Sequence, residues 1–296
     1  MRRVVSLAAA ALVVSTGIVL GGLYVASSVG VISQQQLPSA KPPESSVPPS
    51  SKHVFLIMME NKPFDRALQG NYAASLASKY ALATNYHAIT HPSLPNYLAL
   101  TSGSTWGTKS DNYQALPSGE DLGSELTSAG IPWRAYMESM TNGCFDSPEP
   151  YALKHNPFAF YGEQCPSNVV SLSELDADLS GGNTPNFVWV TPNLCHDEHN
   201  CNVSTGDQWL AEIVPKIMDS AAWKDDGVLF IVWDEDDKAS GPNQVPLVIV
   251  APGLEEHQTD VYYDHYSLLA TIEDRLGVPR LGEAANAQAI EDFLEP

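Results

Sequence analysis

The stretch His53-Val-Phe-Leu-Ile-Met-Met-Glu-Asn61 joins a run of apolar residues directly to a polar pair. An apolar run without polar alternation is typical of a strand that is buried on both faces of a sheet. Similar runs occupy residues 133–137, 186–190, 228–233 and 245–250. Helical patterns separate them, near 73–80, 94–102, 120–129, 207–221 and 265–276. This alternation predicts an α/β fold with a mainly parallel sheet that carries helices on both faces.

Polar residues that directly follow the apolar runs are the candidate site residues, because sheets of this kind bind ligands beyond the carboxyl ends of their strands. Glu60 and Asn61 follow the first run, and four acids, Asp234-Glu-Asp-Asp237, follow the run at 228–233. Adjacent like charges repel by on the order of 1 kcal/mol even in water. A bound cation would remove this repulsion, and the alternative interpretation is a solvated acidic turn.

The donors at these positions are hard oxygen atoms, which suit Mg²⁺, Ca²⁺ or Mn²⁺. Histidines elsewhere in the chain would also admit zinc or iron. Of the eight histidines, His199 is the most informative, because it stands with Asp197 beyond the run at 186–190. A single histidine is more often a structural residue than a catalytic one.

Ser93 stands just before an apolar helical pattern that ends near Gly103. A serine in this position is commonly a helix cap. A serine nucleophile would need the same geometry, because the free N–H groups of a helix N-terminus favour a phosphate anion. Both interpretations of Ser93 remain open at this point.

Composition and charge exclude several classes of protein. The chain has 296 residues, of which 44% are hydrophobic, and its formal net charge is −20. This apolar content excludes disorder throughout, and the charge disfavours broad nucleic-acid binding. The chain carries no G-x-S-x-G, G-x-x-x-x-G-K-[ST] or G-x-G-x-x-G motif, so these hydrolase and nucleotide-binding folds are not indicated.

The N-terminal segment predicts export. Arg2 and Arg3 precede an apolar stretch, Val4 to Val25, which is long enough to span a bilayer. Residues 1–33 are therefore interpreted as a cleaved signal peptide or an uncleaved signal anchor, with both alternatives open. Residues 34–52, rich in Pro and Ser, predict a linker, and 53–296 form the globular domain. The protein would be secreted or anchored outside the cytoplasmic membrane, and would contact the membrane only through this segment.

Four cysteines fit an oxidising compartment: Cys144, Cys165, Cys195 and Cys201. Four cysteines allow three pairings, of which we favour the two local ones, Cys144–Cys165 and Cys195–Cys201. The alternative is a zinc site, because His196 and His199 lie between the second pair.

Seven motifs together resemble one family, the bacterial phosphoesterases that include phospholipases C and secreted acid phosphatases. In chain order they are Glu60-Asn61, Thr90-His-Pro-Ser-Leu-Pro-Asn-Tyr97, Lys154-His-Asn-Pro157, Asp197-x-His199, Gly206-Asp-x-Trp-Leu210, Trp233-Asp-Glu-Asp-Asp237 and His265-Tyr-Ser-Leu-Leu269. The resemblance covers about 53–296 and is strongest to the mycobacterial and actinobacterial secreted acid phosphatases. It implies a three-layer domain like that of the alkaline phosphatase superfamily.

The resemblance also implies roles for individual residues. Glu60, Asn61, Ser93, Asp234 and Glu235 match residues that hold one divalent metal ion, with Ca, Mg, Mn and Zn not distinguished. Ser93 also matches the nucleophile. The polar residues around the phosphate correspond to His155, Asp197 and His199, and His265 corresponds to a histidine near the C-terminal part of the site. Many phospholipases C carry an Asp-His pair where this chain has Asn243-Gln244, which argues against that branch and against a second metal.

We therefore expect an exported, metal-dependent acid phosphatase that acts on phosphomonoesters through a phosphoserine. His199 or His155 would protonate the leaving alcohol. The substrate would be a small phosphate ester or a phosphoinositide. The alternatives are a phospholipase C-type phosphodiesterase and a non-catalytic, metal-stabilised binding domain outside the cell.

Overall fold

The structure is a computed structural model, which describes residues 52–238, 241–291 and 293. The predicted signal segment and all of the predicted linker except Lys52 lie outside these residues. No helix within them is long and apolar enough to cross a bilayer.

Ten strands are formed in this part of the chain. They are β1 (His53–Met59), β2 (Ala81–Ala83), β3 (Tyr86–His87), β4 (Trp133–Met137), β5 (Val169–Ser171), β6 (Phe187–Thr191), β7 (Gly227–Trp233), β8 (Leu247–Val250), β9 (His257–Thr259) and β10 (Tyr263–Asp264). Eight of them form one sheet in the order β5-β4-β6-β1-β7-β8-β2-β9, and β3 pairs with β10 separately. Only β8 runs antiparallel to its neighbours within the described sheet, so the prediction of a mainly parallel sheet is confirmed.

Nine α-helices accompany the strands in the described residues. They are α1 (Phe64–Ala67), α2 (Asn71–Lys79), α3 (Ser93–Ser102), α4 (Leu122–Ser128), α5 (Gly143–Asp146), α6 (Leu175–Ser180), α7 (Val203–Asp219), α8 (Ala221–Asp226) and α9 (His265–Leu276). Short 3₁₀ turns occupy Leu153–His155, Pro157–Phe160, Leu172–Glu174 and Gly282–Ala285.

The helices pack in two groups, and together they cover the sheet. Helix α3 packs against α9 and α4, whereas α7 packs against α2, α6 and α8. Strand β1 contacts α9 from the first group and α8 from the second. Strands β6, β7 and β8 are buried along their whole length. Since successive side chains of a strand point to opposite faces, both faces of the central sheet are covered.

The cysteines form the two disulfides favoured from the sequence, Cys144–Cys165 and Cys195–Cys201. The alternative of a zinc site built on these cysteines is wrong, because none of the four is free. The second disulfide closes the loop between β6 and α7, which carries Asp197 and His199.

A buried carboxyl of α9 makes the stability of the fold depend on pH. Oε1 of Glu273 accepts the N–H of Leu281 at 2.9 Å, whereas Oε2 is buried and has no hydrogen-bond partner among the described residues. Burial raises the pKa of Glu273 from 4.5 to about 8. The folded protein therefore keeps this proton to a higher pH than the unfolded chain does, and the free energy of unfolding falls as the pH rises from 4.5 towards 8.

We expect Glu273→Gln to raise the free energy of unfolding at pH 8 by at least about 1 kcal/mol, because a neutral amide replaces a buried carboxylate and keeps the acceptor for Leu281. At pH 4 the effect should be small, since Glu273 is then protonated as well. Denaturant titrations at both pH values measure this difference. The exposed Glu212 of α7, changed to Gln, is the control. An equal gain at both pH values would contradict the argument.

Candidate active site

The site lies where β6, β1 and β7 end side by side. Met59 pairs with Trp233 in the parallel register, so Glu60 and Asp234 are the next residues on neighbouring strands. The N–H of Asp234 donates to the carbonyl of Met59 at 3.0 Å, and the N–H of Glu60 donates to the carbonyl of Asp197 at 2.8 Å. The sheet ladder therefore continues into the site and fixes the three acids beside one another.

Ser93 is the first residue of α3 and is 1% exposed. Its Oγ lies 3.1 Å from Oε2 of Glu60 and 3.3 Å from Oε1 of Glu235, and it donates to these carboxylates. The N-cap position of α3 is taken by Pro92, and the hydroxyl of Ser93 bonds to Glu60 and Glu235. The interpretation of Ser93 as a plain helix cap is therefore wrong, and its hydroxyl faces the acidic cluster.

Glu60 is the centre of the cluster and is fully buried. Its Oε1 accepts the hydroxyl of Tyr97 at 2.5 Å and lies 3.1 Å from Nε2 of His155. Burial raises the pKa of Glu60 well above its ordinary value, and the charges of Asp234 and Asp197 raise it further. A positive charge beside Glu60 would favour its ionised form.

The acids that follow β7 are also buried. Burial raises the pKa of Asp234 to about 7. Burial, followed by the charge of Asp234, raises the pKa of Glu235 to about 9. Asp236 is buried as well, and only Asp237 reaches the surface, where it pairs with Arg66. The interpretation of this segment as a solvated acidic turn is wrong for its first three residues.

His91 pairs with this acidic segment from the turn before α3. Its Nδ1 lies 2.6 Å from Oε2 of Glu235, and its Nε2 lies 3.5 Å from Oδ1 of Asp236. The ring is about one-third exposed, so it covers the cluster from the solvent side.

Asp197 organises the two histidines predicted to surround the phosphate. Its Oδ2 lies 3.1 Å from Nδ1 of His155, and its Oδ1 accepts the backbone N–H of His199 at 2.7 Å. Burial lowers the pKa of His155 well below 6.5, and the charge of Lys154 lowers it further. Nδ1 of His155 thus faces Asp197, and Nε2 faces Glu60.

Lys154 brings a positive charge to the edge of the cluster. Its Nζ donates to Oδ2 of Asp111 at 3.0 Å and to Nε2 of His199 at 3.1 Å. Nδ1 of His199 lies 2.8 Å from Oδ1 of Asn200, to which it donates. Burial lowers the pKa of Lys154, but the carboxylates of Glu60 and Asp111 raise it more, so that the net direction is upward.

His265 lies under the site and does not face it. Its Nε2 is 2.7 Å from the backbone carbonyl of Asp234, and its Nδ1 is 2.7 Å from the hydroxyl of Tyr86. Burial lowers its pKa to about 4. With both ring nitrogens engaged, this side chain holds the backbone at the end of β7.

Two buried ligand atoms in the cluster have no hydrogen-bond partner among the residues that the structure describes: Oδ2 of Asp234 and Nε2 of His155. Nε2 of His155 also lies 3.1 Å from Oε1 of Glu60, so that a proton or a cation is needed between these two atoms. Such contacts are favourable only with a cation or a proton nearby. The arrangement therefore fits a bound divalent metal ion.

One set of candidate ligands combines residues from three segments. Glu60, His155 and His199 each offer one ligand atom, and these atoms lie within 4.8 Å of one another. Glu60 also belongs to the ligand set predicted from the sequence, and its other oxygen, Oε2, lies 3.1 Å from Oγ of Ser93. Asn61 is placed differently: with a φ of 48° it donates its backbone N–H to Oδ1 of Asp234 at 3.0 Å.

A polar cleft of about 560 Å³ opens beside His199. Its lining also includes Lys62, Arg66, Asn202 and Ser204. A cleft of this size holds a ring-sized molecule.

The sequence argument missed three residues of the site. Tyr97 follows Ser93 by one helical turn, a spacing that places two side chains on the same face, and this signal was available. Lys154 stood inside a matched motif without a role. Asp111 lies in a polar loop without any pattern, so nothing in the sequence marks it.

Comparison with known families and proteins agrees with the geometry. The model of the Phosphoesterase family matches residues 69–279. The phosphatidylinositol-3-phosphatase of Mycobacterium tuberculosis is 33% identical to this chain, over 93% of this chain and 91% of that protein. The phosphate-repressible acid phosphatase of Penicillium chrysogenum is 29% identical over 76% of this chain, and the acid phosphatase of Aspergillus fumigatus is 27% identical over 77%. This chain spans 59% and 55% of these two fungal proteins.

Solved structures share the fold. An alkaline phosphatase superfamily protein from Vibrio parahaemolyticus matches with a TM-score of 0.55 at 13% identity, over 82% of this chain and 71% of that one. The phosphonate monoester hydrolase of Silicibacter pomeroyi matches with a TM-score of 0.52 at 11% identity, over 82% and 76%. The predicted alkaline-phosphatase-like architecture is confirmed.

The loop that carries Asp197 and His199 depends on Gly206 in α7. A Cβ at this position would lie 2.4 Å from Cγ of Glu198 and 2.9 Å from the backbone oxygen of His196. Glu198 is buried, and its carboxylate accepts the indole N–H of Trp233 at 3.1 Å, so it has little freedom to move away.

We expect Gly206→Ala to destabilise the protein by about 1–3 kcal/mol through this overlap. The sign of this change in stability is informative, because Gly→Ala inside a helix otherwise stabilises a protein by up to about 1 kcal/mol. Thermal unfolding measures it, with the exposed Gln208 of the same helix changed to Ala as the control. A higher melting temperature for Gly206→Ala would show that the loop does not need this contact.

Proposed function

Because this chain belongs to the Phosphoesterase family, we propose that it is an exported, metal-dependent phosphatase that hydrolyses phosphomonoesters through a phosphoserine at Ser93. The observation that carries the proposal is the position of the Ser93 hydroxyl, at the N-terminus of α3 and within 3.3 Å of two buried carboxylates. The names of the acid phosphatases and of the mycobacterial phosphatidylinositol-3-phosphatase among its relatives support the choice of phosphate esters.

Glu60, Asp234 and His155 are the residues that would hold the metal ion, because Oδ2 of Asp234 and Nε2 of His155 have no hydrogen-bond partner among the described residues and Oε1 of Glu60 lies 3.1 Å from Nε2 of His155. When bound, a divalent cation would neutralise the carboxylates, polarise the phosphate and lower the pKa of a nearby hydroxyl. Its binding would also release the protons that the buried carboxyls retain.

Ser93 is the attacking group in this mechanism. Its hydroxyl proton passes to a carboxylate within reach, Oε2 of Glu60 at 3.1 Å or Oε1 of Glu235 at 3.3 Å. The bond from Oγ to phosphorus forms while the bond from phosphorus to the leaving oxygen breaks. The product of this step is phosphoserine together with an alcohol that still needs a proton.

His199 is better placed than His155 to supply that proton. His155 is 1% exposed and packs its ring parallel to that of Tyr97, whereas His199 is only partly buried and borders the cleft. Once Nε2 of His199 has given its proton to the alcohol, it is the acceptor that Nζ of Lys154 contacts at 3.1 Å, while Nδ1–H stays on Asn200. Water then attacks the phosphoserine and returns a proton to His199. The bond between phosphorus and Oγ breaks, and Ser93 takes back its proton from the carboxylate as phosphate leaves.

We expect Ser93→Ala to lower kcat for p-nitrophenyl phosphate by at least about a thousand-fold, because it removes the attacking oxygen. Ser93→Thr keeps a hydroxyl and should retain measurable turnover with divalent metal supplied. Ser78→Ala, at an exposed serine of α2, is the control and should leave kcat unchanged. Initial rates at pH 5 to 8 measure the effect, and substantial turnover by Ser93→Ala would contradict the assignment of the nucleophile.

A further inference from the structure

One carboxylate from outside the acidic cluster lies at the N-terminus of the nucleophile helix. Oδ1 of Asp111 accepts the backbone N–H of Leu94, the residue after Ser93, at 3.0 Å. Oδ2 of the same carboxylate accepts from Nζ of Lys154 at 3.0 Å. A helix N–H and an ammonium group therefore converge on one anion, which this chain supplies itself.

These two donors are the groups that recognise phosphate. The N–H groups of a helix N-terminus bind phosphate oxygens, and lysine binds them as a point charge. The position is also next to the reacting hydroxyl, because Leu94 follows Ser93 directly. The carboxylate of Asp111 thus lies where the oxygens of a phosphoryl group on Ser93 would need donors.

The contact between Asp111 and Lys154 is open to exchange. The side chain of Asp111 is 31% exposed and that of Lys154 is 20% exposed, and Asp111 comes from the loop between α3 and α4. An ion pair that water reaches contributes little to stability, so replacing one anionic partner by another costs little. The N–H of Leu94, in contrast, is fixed by the helix.

We propose that Lys154 and the N–H of Leu94 form the anion site for the transferring phosphoryl group, and that Asp111 is a built-in competitor for it. Phosphate entering the site takes over both donors, and Asp111 turns out towards solvent. This inference rests on the proposed phosphatase function and adds to it a phosphate-binding lysine and an opposing carboxylate.

If Asp111 competes with phosphate, removing its charge changes the phosphate affinity in the opposite direction from that expected for a structural ion pair. If Asp111 and Lys154 only brace each other, removing either one should weaken phosphate binding. If Asp111 competes with phosphate, removing its charge should tighten phosphate binding, and only the loss of Lys154 should weaken it.

The test is the affinity for inorganic phosphate, measured by isothermal titration calorimetry on the full chain with divalent metal supplied. The variants are Asp111→Asn, Lys154→Gln and Lys154→Arg. Asparagine keeps an acceptor for the N–H of Leu94, and Asp111→Ala is the second variant if the first fails to fold. Lys216→Gln is the control, because Lys216 pairs with Asp176 on an exposed surface.

We expect Asp111→Asn to lower Kd for phosphate about five-fold and Lys154→Gln to raise it about ten-fold, as the loss or gain of one partly screened charge contact implies. Lys154→Arg should restore binding to within about three-fold, and Lys216→Gln should not change it. A higher Kd for Asp111→Asn, or equal shifts for both partners, would overturn the inference.

Calorimetry also separates this inference from the proposed function. Suppose that the two variants shift Kd for phosphate in opposite directions, but that the wild-type protein does not turn over p-nitrophenyl phosphate. This result would support the anion site and contradict the phosphatase. If the wild-type protein turns the ester over but the variants show no opposite shifts in Kd, the phosphatase function stands and the competition of Asp111 with phosphate is contradicted.

Discussion

The fold places Glu60, Asp197 and Asp234 together in its interior. Most other features of the site compensate the negative charge of these three carboxylates. Strand β1 lies between β6 and β7, and the parallel register brings all three strand ends to one point. Burial raises the pKa of all three carboxyls, and the charges of Asp234 and Asp197 raise that of Glu60 further.

Different elements compensate this charge to different degrees. Tyr97 donates to Glu60 from α3, and the charge of Lys154 lowers the pKa of Glu60. His265 contacts the backbone carbonyl of Asp234 instead of a carboxylate. Two ligand atoms remain without a partner in the described part of the chain, on Asp234 and His155, so the protein groups alone do not balance the site.

The sequence predicted those strands and site residues that are marked by long apolar runs. Strand β1 and the polar residues after it were clear because six buried residues end abruptly at Glu60. The strands β2, β5 and β9 have three residues each, which is too short for a pattern. The antiparallel direction of β8 could not be predicted either, because an apolar run has the same pattern in a parallel and in an antiparallel strand. Asp111 joins the site only through the path of its loop, which no local pattern encodes.

The central claim is that the fold tolerates its buried carboxylates because a cation balances them beside Ser93. The most direct test is the melting temperature of the wild-type protein and of Asp234→Asn at pH 8, each with and without divalent cation. We predict that the variant melts higher than the wild type without cation, since it buries one charge less, and that added cation stabilises the wild type far more than the variant. A variant that melts lower without cation, or that gains as much stability from it, would contradict the account.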